Sequence, residues 1–254
     1  MFAKTSGKIN EYNYLKYLDG RKVKDLNNRF KELFFKLFIN LEDDDIIRAY
    51  LDYGSKKYDL VVSIKNMVKR FSLKVGISNS LHVEDLSSFT TFLKDNGIPK
   101  NVIYEYLKYH FGDNTLNGTG LYRMSAKEYK TMYPEKIKYI NKYFNQESLV
   151  LKVIDRFILK GRNSYFQIDA IIHGGIDDFV YLLKDDVIRL VLSNLNKEYQ
   201  GVHFANLFCQ AKDRNLKGNP VYEKDRFVIQ IKWYEMHDDI INFYNNLGNC
   251  SKND

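Results

Sequence analysis

The sequence predicts a mixed α+β fold: a central mixed sheet flanked by helices, with a helical insertion or second lobe. Three observations carry this reading. Two short apolar runs, residues 60–64 and 68–75, flank the polar pair Lys65 and Asn66 and read as a β-hairpin. Helical patterns stand before the hairpin and again after it, an order that suits a sheet covered by helices. The last third returns to alternating strand and helix patterns. A chain of 254 residues fits one large domain or two small ones and can bury a substantial core.

Taken in order, Ile9, Tyr12, Leu15 and Leu18 recur at helical spacing over residues 7–18 and place Glu11 off that apolar face. Residues 26–39 form a strongly apolar helix expected to pack on the sheet. Residues 46–53 read as a first strand, leading through Gly54 and Ser55 into the hairpin. With a turn centred on Asn66 and Met67, Ile64 pairs with Lys69 and Asp59 stands opposite Lys74. Ser72 then falls opposite Val61, on the same face as Asp59 and Lys74, because side chains alternate with period 2.

A helix over residues 83–94 follows, stopping near Asn96, Gly97 and Pro99, and a second covers residues 100–111. Gly112, Gly118 and Gly120 mark the most loop-like stretch, either a recognition loop that binds through its backbone amides or an ordinary exposed turn. It is not a nucleotide-binding Walker loop, since no Gly-Lys-Ser/Thr follows. Residues 125–161 are helical, broken near Pro134 and Asn145, with Ser125 and Glu128 spaced as a capping box. Residues 166–173 and 179–183 read as strands, 185–195 as a helix and 226–234 as a strand, while 202–208 fits either. The whole is expected to form a single domain of residues 1–254, with 112–161 a helical insertion and 162–254 assigned to DNA recognition.

The chemistry centres on the hairpin. An Asp in one strand followed by a carboxylate-x-Lys in the next resembles the core of the PD-(D/E)xK nuclease superfamily, which includes many restriction endonucleases. Asp59 matches the first acid and Lys74 the lysine. Ser72 stands where the second acid is expected, and Tyr58 where the motif has proline. Some type II restriction enzymes of this superfamily carry Ser at that point and supply the second carboxylate from the following helix. Glu84 sits where such a displaced acid falls, with Asp85 as its substitute. The resemblance spans roughly residues 7–110.

It implies a restriction-endonuclease-like sheet and Mg²⁺-dependent hydrolysis of phosphodiester bonds. In that reading Asp59 and Glu84 hold the metal and Lys74 assists the attacking water or the phosphate. Ser72 marks the vacated acid position. Glu11 is an auxiliary metal ligand, since an early-helix Glu often approaches the site in these nucleases. Hard oxygen ligands suit Mg²⁺, and bound water loses a proton more readily. The bland reading makes Asp59 a surface strand residue, Lys74 a solvated edge lysine and Glu84 a first-turn acid favoured by the helix dipole.

Gln210, Arg214 and Asn215 are side chains of the kind that read base edges, and Lys212 and Lys217 suit phosphates. The alternative is a solvated basic loop. Asp169 with Lys232, on Gln230-x-Lys232, imitates the nuclease motif a second time but needs a long insertion between its halves. The partner is double-stranded DNA, and a homodimer follows from one active site cutting one strand of a palindrome. A type II restriction enzyme is the leading function. A structure-specific repair or junction nuclease and a DNA-binding module with a decayed nuclease core are the alternatives.

Composition sets outer bounds. The net charge of +7 agrees with a polyanionic partner, although abundant Lys, Asn, Ile and Tyr also reflect base composition. No apolar stretch approaches about 18 residues, so no membrane partner is expected. The N-terminus has no long apolar signal region, which points to the cytoplasm. Cys209 and Cys250 are the only cysteines, excluding a disulfide scaffold or a multi-cysteine zinc site. The five histidines show no close metal-binding spacing, and no Gly-x-Ser-x-Gly marks a serine hydrolase.

Overall fold

Lys65 and Asn66 turn the chain between two antiparallel strands. Lys65 adopts a left-handed φ of 52°, and Ile64 pairs directly with Met67. A positive φ at the first central residue matches a two-residue turn to the twist of its strands. The turn lies one residue earlier than expected, so the pairing shifts by two: Leu60 faces Phe71 and Val61 faces Arg70. Asp59 therefore stands opposite Ser72, not Lys74. A two-residue shift leaves each side chain on its expected face, as a one-residue slip would not.

The computed structural model describes residues 2–54, 56–76, 79–161, 164–212, 214 and 223–250. Its elements run α1 (Phe2–Leu18), α2 (Asn28–Leu37), β1 (Arg48–Leu51), β2 (Leu60–Ile64), β3 (Met67–Lys74) and β4 (Asn79–Asp85). They continue with α3 (Leu86–Asp95), α4 (Lys100–Phe111), α5 (Ala126–Met132), α6 (Pro134–Phe144), α7 (Glu147–Val153) and a π-helical run (Ile154–Lys160). The remainder is β5 (Ala170–His173), β6 (Val180–Leu183), α8 (Lys184–Leu192), β7 (His203–Phe204), β8 (Leu207–Ala211), β9 (Val228–Trp233) and α9 (Met236–Cys250). Among the described residues no helix is long and apolar enough to cross a membrane.

The chain forms two compact units, each assembled from separated segments. The first comprises residues 1–79, 154–190 and 235–254, the second residues 80–153 and 191–234. The first holds a five-stranded sheet in the order β1-β2-β3-β5-β6. The β3 and β5 strands run parallel, and the other neighbours are antiparallel. Parallel neighbours need a crossover, which residues 75–169 provide.

One face of this sheet is closed by an aromatic core. Phe30, Leu33 and Phe34 recur at i, i+3 and i+4 on α2 and are buried, and the Asn27 side chain caps the helix by accepting from Phe30 N at 3.0 Å. Phe30 lies 4.6 Å from Phe179, and Phe34 stacks on Phe71 at 6.3 Å between ring centres. Burying each such ring stabilises the fold by about 1.5–3 kcal/mol.

Helix α1 corrects the expected face. Ile9 and Tyr12 are exposed, while Tyr14 and Leu18 are fully buried. The Tyr14 hydroxyl and the Asn10 amide both donate to the carbonyl of Gly174. These polar anchors turn the helix so that Glu11 lies on its partly buried side, where apolar spacing alone put it outside.

The second unit carries a four-stranded sheet in the order β4-β9-β8-β7. Its core includes Phe89, Tyr106, Phe144 and Phe204, with Phe144 and Phe204 stacked at 4.5 Å. The helix expected from residue 83 instead begins at Leu86, and residues 79–85 form β4. Pairing with β9 keeps this segment extended, and Asp85 stays extended as the N-cap residue of α3. The capping box of Ser125 and Glu128 is present, Pro134 begins α6, and Asn145 ends it. The ambiguous residues 202–208 are a tight β7–β8 hairpin turning at Ala205, whose φ is 50°. Asp113 ties the glycine-rich loop together, accepting from Thr115 N, Gly120 N and Arg226 Nη2.

Candidate active site

Asp59 immediately precedes β2, and its backbone N–H donates to Phe71 O at 2.9 Å. This fixes the residue beside the end of β3, where three donors converge on one carboxylate oxygen. Leu73 N donates to Asp59 Oδ2 at 2.7 Å, Ser72 Oγ at 3.2 Å and Lys74 Nζ at 3.4 Å. The Lys74 ammonium also donates to Leu73 O at 3.0 Å. Ser72 is 4% exposed, whereas the side chains of Asp59 and Lys74 keep 28% and 19% of their surface. The first acid and the lysine are therefore ordered yet reachable from solvent.

Glu11 joins this group from α1. Burial raises its carboxyl above the ordinary value, the neighbouring Asp59 charge raises it further, and Lys74 and Lys8 pull it back. A carboxyl raised by burial and by a neighbouring carboxylate is the electrostatic condition a cation relieves. Among the described residues no cluster of three or more His, Cys, Asp or Glu groups forms a ready cation cage. Mg²⁺ does not require one, since it is usually held by one or two carboxylates with waters and substrate phosphates. Asp59 and Glu11 fit that pattern.

Glu84 lies in the second unit, on β4 and not on a helix. It is 9% exposed, with Oε2 3.3 Å from His82 Nε2. Its charge helps to raise the Tyr106 hydroxyl and the Cys209 thiol, although burial is the larger cause for both. The helix-borne acid of the sequence reading is thus corrected to a strand residue held in a buried polar pair.

The second imitation of the motif is not assembled within one unit. Asp169, in the first, accepts from Arg70 N at 2.8 Å and pairs with Lys69 at 3.3 Å. Lys232 lies on β9 in the second. Of the expected DNA contacts, Gln210 on β8 donates to the Tyr234 hydroxyl, and Lys212 pairs with Asp225 at 3.0 Å. Arg214 departs from expectation. It is 4% exposed and donates to Met124 O, Tyr109 O and Ser125 O at 2.9, 2.6 and 3.3 Å. A guanidinium committed to three carbonyls is an internal strut, not a base reader. Asn215 and Lys217 lie outside the described residues.

The sequence reading missed two residues beside the site. His173 on β5 is the direct register partner of Lys74, and its Nδ1 lies 3.2 Å from Nδ1 of His237 on α9. Their positions, 64 apart, leave no spacing signal. The one local sign is an apolar strand that ends on His173 before Gly174 and Gly175.

A five-stranded mixed sheet with this hairpin at its centre, flanked by helices, is a restriction-endonuclease fold. Among solved structures, the chain is similar to restriction endonuclease MspI in complex with its cognate DNA, at a TM-score of 0.55 and 17% identity, over 89% of this chain and 88% of that one. No family model matches the chain, and no curated protein does.

Proposed function

We propose that this chain is a Mg²⁺-dependent, sequence-specific endonuclease of double-stranded DNA, of the type II restriction kind, working as a homodimer. The observation that carries the reading is the convergence of Ser72 Oγ, Leu73 N and Lys74 Nζ on Asp59 Oδ2, on a fold shared with an enzyme solved on its cognate DNA.

Asp59 and Glu11 would hold the metal. An ion held there would make a bound water more acidic and offset charge on the phosphate. The residues of the chain do the rest. Leu73 N and Ser72 Oγ fix the Asp59 carboxylate in one orientation, which spares the site that ordering cost during reaction. Lys74 places a positive charge beside the carboxylate, where it orients the attacking water and offsets charge growing on the phosphate oxygens. Ser72 contributes a hydroxyl where the motif has an acid, so a second carboxylate would come from Glu11, with Glu84 the other candidate. Gln210 and Lys212, both in the second unit, would contact the DNA.

Ser72 also supports the second reading, a DNA-binding protein whose nuclease core has decayed. Digestion of a mixed-sequence duplex plasmid with Mg²⁺ separates the two. Discrete fragments that disappear in Lys74→Ala and Glu11→Gln support the nuclease. Retained duplex binding without cutting by the wild type supports the decayed core. Cutting that survives both substitutions places the chemistry elsewhere.

A further inference from the structure

Lys74 stands between two neighbours on its sheet, Asp59 beside β2 and His173 on β5. The hydrogen bonds of His173 define its tautomer. Its Nε2 lies 3.0 Å from the carbonyl oxygen of Gly76, and a carbonyl only accepts, so Nε2 carries the proton. In the neutral ring Nδ1 is then an acceptor, and the 3.2 Å contact with Nδ1 of His237 takes its proton from His237. The lone pair of His237 is left on its Nε2. A proton added to His173 Nδ1 would set two N–H groups against each other.

The surroundings agree. His173 is 6% exposed, and burial holds its ring below the usual histidine value, with His237 and Lys74 adding to the effect against the Gly76 carbonyl. Among the described residues, the charged or titratable groups whose charge acts on it are Lys74 from β3 and His237 from α9. Its partner on β6 is Val180. From α1, the Asn10 amide and the Tyr14 hydroxyl end on the carbonyls of Gly174 and Gly175.

We propose that His173 is a positioning residue for Lys74: locked as a neutral imidazole by Gly76 and His237, it keeps a second cation away from the ammonium and leaves Lys74 directed at Asp59 and the bound phosphodiester. This rests on the nuclease reading. A charged His173 would repel Lys74 across neighbouring strands, and a ring free to change tautomer would not hold its place.

The test is steady-state cleavage of a duplex oligonucleotide with Mg²⁺ across pH, by wild type, His237→Ala and His237→Asn. The Ala variant removes the N–H donor that locks His173, while Asn restores one. His237→Ala is expected to lower kcat by about tenfold to a hundredfold, with KM unchanged, and to move the acid limb of the kcat profile to higher pH. His237→Asn returns both towards wild type. Nitrogen NMR of the imidazoles at neutral pH should show His173 protonated on Nε2 alone in wild type and in His237→Asn.

Wild-type kcat in His237→Ala at every pH overturns the proposal while the nuclease reading stands. So does an equal loss in the Ala and Asn variants, a change confined to KM, or a His173 protonated on Nδ1. Absence of cutting by the wild type removes the nuclease reading itself, and the positioning role with it.

Discussion

The hydroxyl of Ser72 donates to Asp59 Oδ2 at 3.2 Å, so the serine of β3 is bonded to the acid that stands opposite it before β2. A carboxylate at 72 would meet Asp59 as a like charge. The serine turns that encounter into a hydrogen bond, and in the proposed nuclease the second negative charge comes from Glu11.

Ser72→Asp tests this directly. A buried acid beside Asp59 should lower the melting temperature in EDTA, because like charges at short range destabilise each other. Added Mg²⁺ should restore much of the loss, and the apparent affinity for Mg²⁺ in calorimetry should rise. Equal melting temperatures with and without the ion would mean that the two carboxylates do not share a cation.

Lys74→Ala should reduce the cleavage rate by about a hundredfold to a thousandfold, the usual effect of removing one preorganised donor. Duplex affinity in Ca²⁺ should be nearly unchanged, since one charge adds little to binding spread over many phosphates. Single-turnover kinetics and a filter-binding titration read the two effects separately.

Glu11 gives a pH dependence with a defined sign. Its folded carboxyl is raised above the ordinary 4.5 by burial and by Asp59. The folded state therefore holds that proton more tightly than the unfolded chain. Stability from this group falls as pH rises from the ordinary value through the raised one, and it stays low above. Glu11→Gln should accordingly stabilise the metal-free protein at neutral pH and show no gain below the ordinary carboxylate range. Urea midpoints measured across acid and neutral pH decide the matter, and a variant less stable at pH 7 would contradict the sign.

Arg214 provides a test of structure against recognition. Losing a buried guanidinium that donates to three carbonyls should cost about 3 kcal/mol or more. Arg214→Lys should not recover it, because a single ammonium cannot reproduce the planar fork. Denaturant unfolding is the measurement. A fully stable Arg214→Ala with altered cutting sites would return the residue to the DNA contacts.

The parts of the fold legible in the sequence were those set by local chemistry. The α2 helix, the capping box at Ser125 and the stops at Asn96 and Gly112 each depend on residues within a few positions of one another. The hairpin was legible as a hairpin, and its faces were right although its register was not, because alternation survives a shift of two. What escaped was decided at long range. Residues 79–85 became a strand because β9 was there to pair with them, and Glu11 turned inward on the strength of Tyr14 reaching Gly174. His173 and His237 meet only through the tertiary fold, and no pattern of spacing announces such a pair.

The interleaving of the two units bears on how the protein is made. The chain leaves the first unit after Asn79, returns at Ile154, leaves again after Leu190 and returns at Glu235. On a ribosome, Asp59, Ser72 and Lys74 emerge early as a three-stranded fragment whose β3 edge has no neighbour until β5 follows about 100 residues later. Helix α9 brings His237 later than β5 brings His173. A nascent chain thus displays the carboxylate and the lysine long before the imidazoles that flank them. If His173 and His237 position Lys74, the nuclease proposed above gains that positioning only once α9 has docked, long after the hairpin itself is made.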